Sequence, residues 1–198
     1  KYITEPRKVY SLKVEGGNYI ADGIVTHNSI YGWSGSNPDL LENLSFRADV
    51  KCYNLNENYR NGKNILAYAK KGIQKTGVID DSIPMRQFDG VVKEIQTDIT
   101  SIINMIDKQK NYKDWAILAR TNEQVHTVAQ KLVNASIPFD TFKQGDLKKA
   151  ELAEKILNNT VKVLTIHSAK GLEWDNVVVI GAQYYKKEEL NVNYVAAT

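Results

Sequence analysis

Three short segments of this 198-residue chain carry side chains whose types and spacing could do chemistry. In "GIVTHNS", His27, Asn28 and Ser29 are adjacent. An asparagine amide nitrogen can attack its own backbone carbonyl, closing a five-membered succinimide and releasing whatever follows. His27 could donate a proton to the departing amine, and the Ser29 hydroxyl could accept an acyl group. Alone, the tripeptide is weak evidence, and an ordinary polar turn is the simpler reading. In "SIYGW", Tyr31 and Trp33 lie two residues apart. In an extended segment both rings point to one side and can stack on unpaired bases, at about 1–3 kcal/mol per base. Two core aromatics would look the same. In "LNENYRN", Arg60 follows Tyr59. Its guanidinium is planar and permanently charged, fit to bridge two phosphate oxygens, or simply to sit solvated on a surface. Further on, "TIHSAKGLEWD" places a Gly-containing turn after a strand end, where backbone amides and small residues suit phosphates.

The elements that must position these groups change character after Ser29. Before it, Tyr10, Leu12 and Val14 alternate with polar residues, Gly16-Gly17 supplies a turn, and Tyr19-Ile20 and Ile24-Val25 resume the apolar phrase, which predicts a β-hairpin unit. After it, Asn37-Pro38 predicts a helix start before "DLLENL". "KCYNL" predicts a strand, and "GKNILAYAKKGI" a helix with Ile65, Tyr68, Ala69 and Ile73 on one side. "TDITSIINMIDKQ" predicts a second helix and "DWAILA" an apolar strand. "TNEQVHTVAQKLVNA" predicts a helix opened by a capping box from Thr121 to Gln124, with Val125, Val128, Ala129 and Leu132 at helical spacing. "LKKAELAEKIL" predicts another helix, and "VKVLTI" and "NVVVIGA" read as strands buried in a parallel sheet. Strands alternating with helices predict an α/β, doubly wound domain.

Composition bounds the rest. An apolar share of 42% with 25% charged residues is that of a globular chain. The single cysteine, Cys52, cannot form an internal disulfide and reads as a small buried hydrophobe. No Cys/His cluster has metal-ligand spacing. No apolar run approaches the roughly 20 residues of a membrane helix, and the N-terminus lacks a signal-peptide layout. A soluble, cytoplasmic chain without membrane partners is expected. The net charge of +3 is spread evenly, so nucleic-acid binding has to be argued from particular residues.

Taken whole, "VYSLKVEGGNYIADGIVTHN" followed by Ser29 resembles the C-terminal splicing segment of an intein, whose Hint-type fold ends in a hairpin, GIVxHN and a nucleophile. The resemblance covers residues 1–28 plus Ser29. It implies that Asn28 cyclises, His27 assists, and Ser29 is the acceptor and first residue of the host protein. Gly17 stands where the family commonly has histidine, and Ser11 where an acidic residue is usual. It also implies that the segment is either the C-terminal partner of a split intein, acting with a complementary N-terminal intein half, or a fragment of a contiguous one.

From Ser29 on, "SIYGWSGS", "LNENYRNGKNI" and "VLTIHSAKGLEWDNVVVIG" resemble motifs III, IV and V of superfamily 1 helicases of the UvrD/Rep type, and "NVNYVAAT" looks like the opening of motif VI. "WAILARTNEQVHTVAQKLVNASIPF" is similar to the segment between IV and V. The resemblance spans nearly all of residues 29–198 and implies the second RecA-like lobe of an ATP-dependent DNA helicase, incomplete at motif VI. It implies that Tyr59 stacks on adenine and Arg60 reaches the γ-phosphate, with Gly171 and Glu173 near the nucleotide's phosphates and ribose. Tyr31, Trp33, Thr165 and His167 would contact DNA, the partner being single-stranded or double-stranded DNA. Ser34 replaces an arginine common in the family after the second aromatic. No GxxxxGK[ST] loop occurs, so ATP and Mg²⁺ would depend on ligands in a first lobe outside this chain. About 20 residues separate "NASIPF" from "KVLTI", which predicts that the inserted subdomain of many relatives is absent or reduced to a short helix. The alternative is a single-strand-binding module without motor activity, beside an inactive intein remnant.

Overall fold

The computed structural model describes residues 19–21, 24–26, 46, 56–76, 80–143, 147–181 and 187–198. The chain divides into two compact units, Lys1–Leu55 and Asn56–Thr198.

In the first unit, β1 (Tyr19–Ala21) and β2 (Ile24–Thr26) pair antiparallel, with Tyr19 opposite Thr26 and Ala21 opposite Ile24. The paired strands coincide with the apolar phrases Tyr19-Ile20 and Ile24-Val25 of the sequence. The strand over Tyr10–Val14, the Gly16-Gly17 turn, the "DLLENL" helix and the "KCYNL" strand lie outside the described residues.

In the second unit, the elements follow in the order β3 (Glu57–Asn58), α1 (Lys63–Ile73), β4 (Ile83–Pro84), α2 (Ile99–Gln109), β5 (Trp115–Ala119), α3 (Asn122–Asn134), β6 (Phe139–Asp140), α4 (Lys149–Leu157), β7 (Val161–Thr165), α5 (Ile166–Ala169), β8 (Asn176–Val179) and α6 (Lys187–Ala197). Four strands form a sheet in the order β6-β7-β5-β8, every pair parallel. This is the α/β lobe the alternation predicts. The short α4 occupies the stretch where a larger insertion was expected to be lacking.

Alternate residues of β5 serve two cores. Trp115, Ile117 and Ala119 meet Ile102, Ile103 and Ile106 of α2 and Val125, Val128 and Leu132 of α3. Ala116 and Leu118 meet Ile166 and Ala169 of α5 and Val192 and Ala196 of α6. A parallel sheet needs both faces covered, and these two layers cover it. The capping box forms as expected: Thr121 Oγ1 accepts the Gln124 N–H at 3.3 Å, and Gln124 Oε1 accepts the Thr121 N–H at 3.2 Å.

Two expectations are corrected. The buried face of α1 runs through Leu66, Ala69 and Ile73, while Ile65 and Tyr68 are only half-buried at its margin. The helix packs on α6. Strand β8 is not fully buried, because among the described residues it is an edge of the sheet, and Val177 is exposed. Strand β7, by contrast, is buried over Val161–Leu164, including Lys162. That ammonium survives in the interior because it donates to Asn158 O at 2.9 Å and to Thr160 O and Oγ1, both at 2.7 Å. Burial pushes its pKa below the usual lysine range.

Candidate functional site

The arginine-bearing turn is built by asparagines. Strand β3 pairs in parallel with β4, Asn58 opposite Pro84. At its end Asn58 Oδ1 accepts the backbone N–H of Arg60 at 3.0 Å and of Asn61 at 2.9 Å. A short polar side chain that caps its own downstream amides fixes a tight turn. Gly62 follows, where a Cβ would lie 2.7 Å from the Asp89 carbonyl, so only glycine fits against that backbone. Asn64 donates its N–H to the same Asp89 oxygen at 2.7 Å and its Nδ2 to Gly90 O at 3.1 Å.

On this turn Tyr59 is 64% exposed, so its ring is open to a planar ligand. Its hydroxyl donates to the Glu57 carboxylate, and this hydrogen bond raises the phenol above its ordinary value. Arg86 donates Nε to the Tyr59 carbonyl at 2.8 Å, and its guanidinium lies 5.3 Å from the Phe88 ring centre.

The second wall comes from the carboxyl end of β7, the side of an open α/β sheet where ligands bind. Thr165 caps α5, its Oγ1 accepting the Ser168 N–H at 3.2 Å and donating to Ser168 Oγ at 2.9 Å. His167 and Lys170 are half-buried on and just after this short helix, and burial pushes Lys170 below the usual lysine range. Gly171 then adopts φ +84° with open space around the position of a Cβ, so here glycine is required by conformation and not by room. Two residues on, Glu173 Oε2 meets Arg60 Nε at 3.0 Å.

The fold therefore brings together two of the four residues expected at the nucleotide, Arg60 and Glu173, with Tyr59 and Gly171 next to them on the same two turns. Thr165 and His167 share the start of α5. His27, Asn28, Ser29, Tyr31 and Trp33 lie outside the described residues. The sequence reading missed Asn58, Asn61 and Arg86. The "N-x-x-N-G" spacing carries a turn signal for the asparagines, whereas nothing local marks Arg86 as a partner of Tyr59.

The pattern of the UvrD-like helicase C-terminal domain matches residues 53–147 and 140–198. The chain belongs to this family. Among similar proteins, the UvrD-like domain is 27% identical over 166 residues to the mitochondrial ATP-dependent DNA helicase HMI1 of Saccharomyces cerevisiae, a match covering 72% of this chain and 24% of that protein. It is 30% identical over 125 residues to the ATP-dependent DNA helicase PcrA of Staphylococcus epidermidis, and 31% identical over 129 residues to PcrA of Leuconostoc citreum. Each PcrA match covers 56% of this chain and 17% of the relative. The UvrD-like chain thus spans about a quarter or less of these proteins' length. Among its described residues no helix is long and apolar enough to cross a membrane.

Proposed function

We propose that residues 29–198 form the second RecA-like lobe of an ATP-dependent DNA helicase, and that residues 1–28 are the C-terminal segment of an intein spliced out at Asn28/Ser29. The observation that carries the motor reading is the Arg60–Glu173 contact, which joins two motif-like segments distant in sequence at one exposed, charged surface. Relatives of the lobe are named ATP-dependent DNA helicases.

The donor set suits a nucleotide: a permanent cation, an exposed aromatic ring and a left-handed glycine turn lie on two neighbouring loops. ATP with Mg²⁺ supplies the transferable phosphoryl group and a metal that neutralises its charge, the metal being held by the other lobe. Tyr59 offers its ring face to a base. Arg60 offers guanidinium donors to an anionic oxygen, exchanging the Glu173 carboxylate for a more highly charged partner. Gly171 carries the chain around so that Glu173 reaches the site. Thr165 and His167, at the carboxyl end of β7, and the aromatic pair Tyr31 and Trp33 serve the DNA strand.

The test is single-strand-stimulated ATP hydrolysis by the chain assembled with a lobe that carries a phosphate-binding loop. Activity in the assembly and none in either part supports the reading. Hydrolysis by this chain alone, abolished by Arg60→Ala, would mean the active site is complete here and the two-lobe reading is wrong.

A further inference from the structure

Arg60 sits on a turn whose anchorage runs to a helix far away in sequence. Asn58 holds the amides of Arg60 and Asn61 through Oδ1, and its Nδ2 donates to Asn61 Oδ1 at 3.3 Å. The Asn61 amide is thereby used at both ends, because its own Nδ2 donates to the Thr198 carbonyl at 3.1 Å. It is also nearly out of solvent, 8% exposed. Buried side-chain amides are costly unless partnered, and here both the oxygen and the nitrogen of the amide have a partner. Thr198 follows Ala197 of α6, its N–H donating to Tyr194 O at 3.0 Å. Tyr194 is itself fixed by its hydroxyl, which donates to Asp80 Oδ2 at 2.6 Å. Gly62 leaves the turn no room to slide toward Asp89.

We propose that Asn58 and Asn61 are positioning residues for Arg60, clasping the arginine turn to the end of α6 so that turn and helix move as one body. This rests on the reading of Arg60 as a phosphate-contacting residue. Neither asparagine needs to touch the nucleotide. Their effect is to fix the guanidinium's origin, and displacement of a charged group by an ångström at a reacting centre can cost orders of magnitude in rate.

Asn61→Asp keeps the size of the side chain but turns the donor facing Thr198 O into an acceptor. In the assembled two-lobe motor it is expected to lower kcat about tenfold while the KM for ATP stays within about twofold, since orientation is lost and ground-state binding is not. In the 198-residue chain, Asn58→Ala is expected to speed hydrogen exchange at the Arg60 and Asn61 amides about tenfold, with the β5 amides unchanged. Faster exchange across β5 as well, with activity falling only as folded protein is lost, would make the asparagines fold stabilisers and overturn the proposal. Arg60→Ala separates the two levels of argument. Hydrolysis lost in Arg60→Ala but intact in Asn61→Asp sinks the clasp alone; hydrolysis intact in Arg60→Ala sinks the phosphate reading and the clasp with it.

Discussion

Arg60 Nε lies 3.0 Å from Glu173 Oε2, and both side chains are substantially exposed, at 45% and 64%. An ion pair this open to water contributes about 0–1 kcal/mol, so its presence is poorly explained by stability. Its informative property is that, among the described residues, the cation is paired with one exposed carboxylate. Glu173→Gln is therefore expected to leave the urea unfolding midpoint nearly unchanged. Arg60→Ala should likewise spare the fold while lowering hydrolysis by the assembled motor about 10³-fold, the low end for an arginine acting on a transferring phosphoryl group. A large drop in midpoint for either variant would assign the pair to the fold.

Gly171 tests how the Glu173 side of the site is delivered. At φ +84° an alanine is strained by about 1 kcal/mol although nothing crowds its Cβ. Gly171→Ala should cost about that much in denaturant unfolding, and Gly171→Asn less, because asparagine tolerates the left-handed region better. Equal costs for the two would mean that lost space, not backbone conformation, governs the position.

Alkaline pH should loosen α6 through one tyrosine. Burial first, and then the hydrogen bond to Asp80 and its charge, push the Tyr194 phenol above the usual tyrosine range. The folded state thus keeps its proton where the unfolded chain, with an ordinary value of about 10, begins to lose it. The stability this group supplies is complete below about pH 10 and declines as pH rises toward the folded-state value. Tyr194→Phe removes a hydrogen bond to a charged acceptor and should cost about 1.5–3 kcal/mol at pH 7. It should also flatten the decline above pH 10, leaving a smaller slope from Tyr68, whose phenol is raised by burial, and from Tyr59, whose phenol is raised by its hydrogen bond to Glu57. Urea titrations of both proteins at pH 7, 9 and 10.5 check this; parallel curves would show that Tyr194 does not carry the alkaline loss.

Splicing is tested by mass. Mixed with a matching N-terminal intein half, the chain should lose residues 1–28 and form a peptide bond to Ser29, and Asn28→Ala should stall at a branched product because the cyclising amide is gone. An unmutated chain that keeps residues 1–28 under those conditions would return His27-Asn28-Ser29 to an ordinary turn.

How far the sequence disclosed the structure depends on how local each cause is. The capping box from Thr121 to Gln124 and the helix periodicity of Val125, Val128 and Leu132 are contained within one turn or two, and both appear as expected. The apolar run of β5 marked a buried strand for the same reason. The face of α1 was misread because Ile65 and Tyr68 also stand at helical spacing with Ala69 and Ile73, and which side is covered depends on long-range packing such as that on α6. Lys162 lies in a run that reads as a buried strand, but nothing local showed how its charge would be satisfied, since its acceptors lie on the approach to β7 and its neighbour Asp140 on β6. At the site, the chemistry-bearing residues were visible as types. Their supports were not, because Asn61 finds Thr198 and Arg86 finds Tyr59 only once the chain has folded.

The strand order has a bearing on synthesis. Strand β5 is central, yet both of its sheet neighbours, β7 and β8, are translated after it. While the chain is still emerging from a ribosome, its most apolar strand has neither edge paired, and α2 and α3 can shield only one of its faces. Long-range parallel pairing of this kind forms slowly, after loop closure has been overcome. A nascent chain of this lobe therefore passes through a stage at which Trp115–Ala119 is an open template for pairing with another copy. Codon speed and chaperone access in the stretch between α3 and β8 should accordingly govern its yield more than changes at the finished surface do.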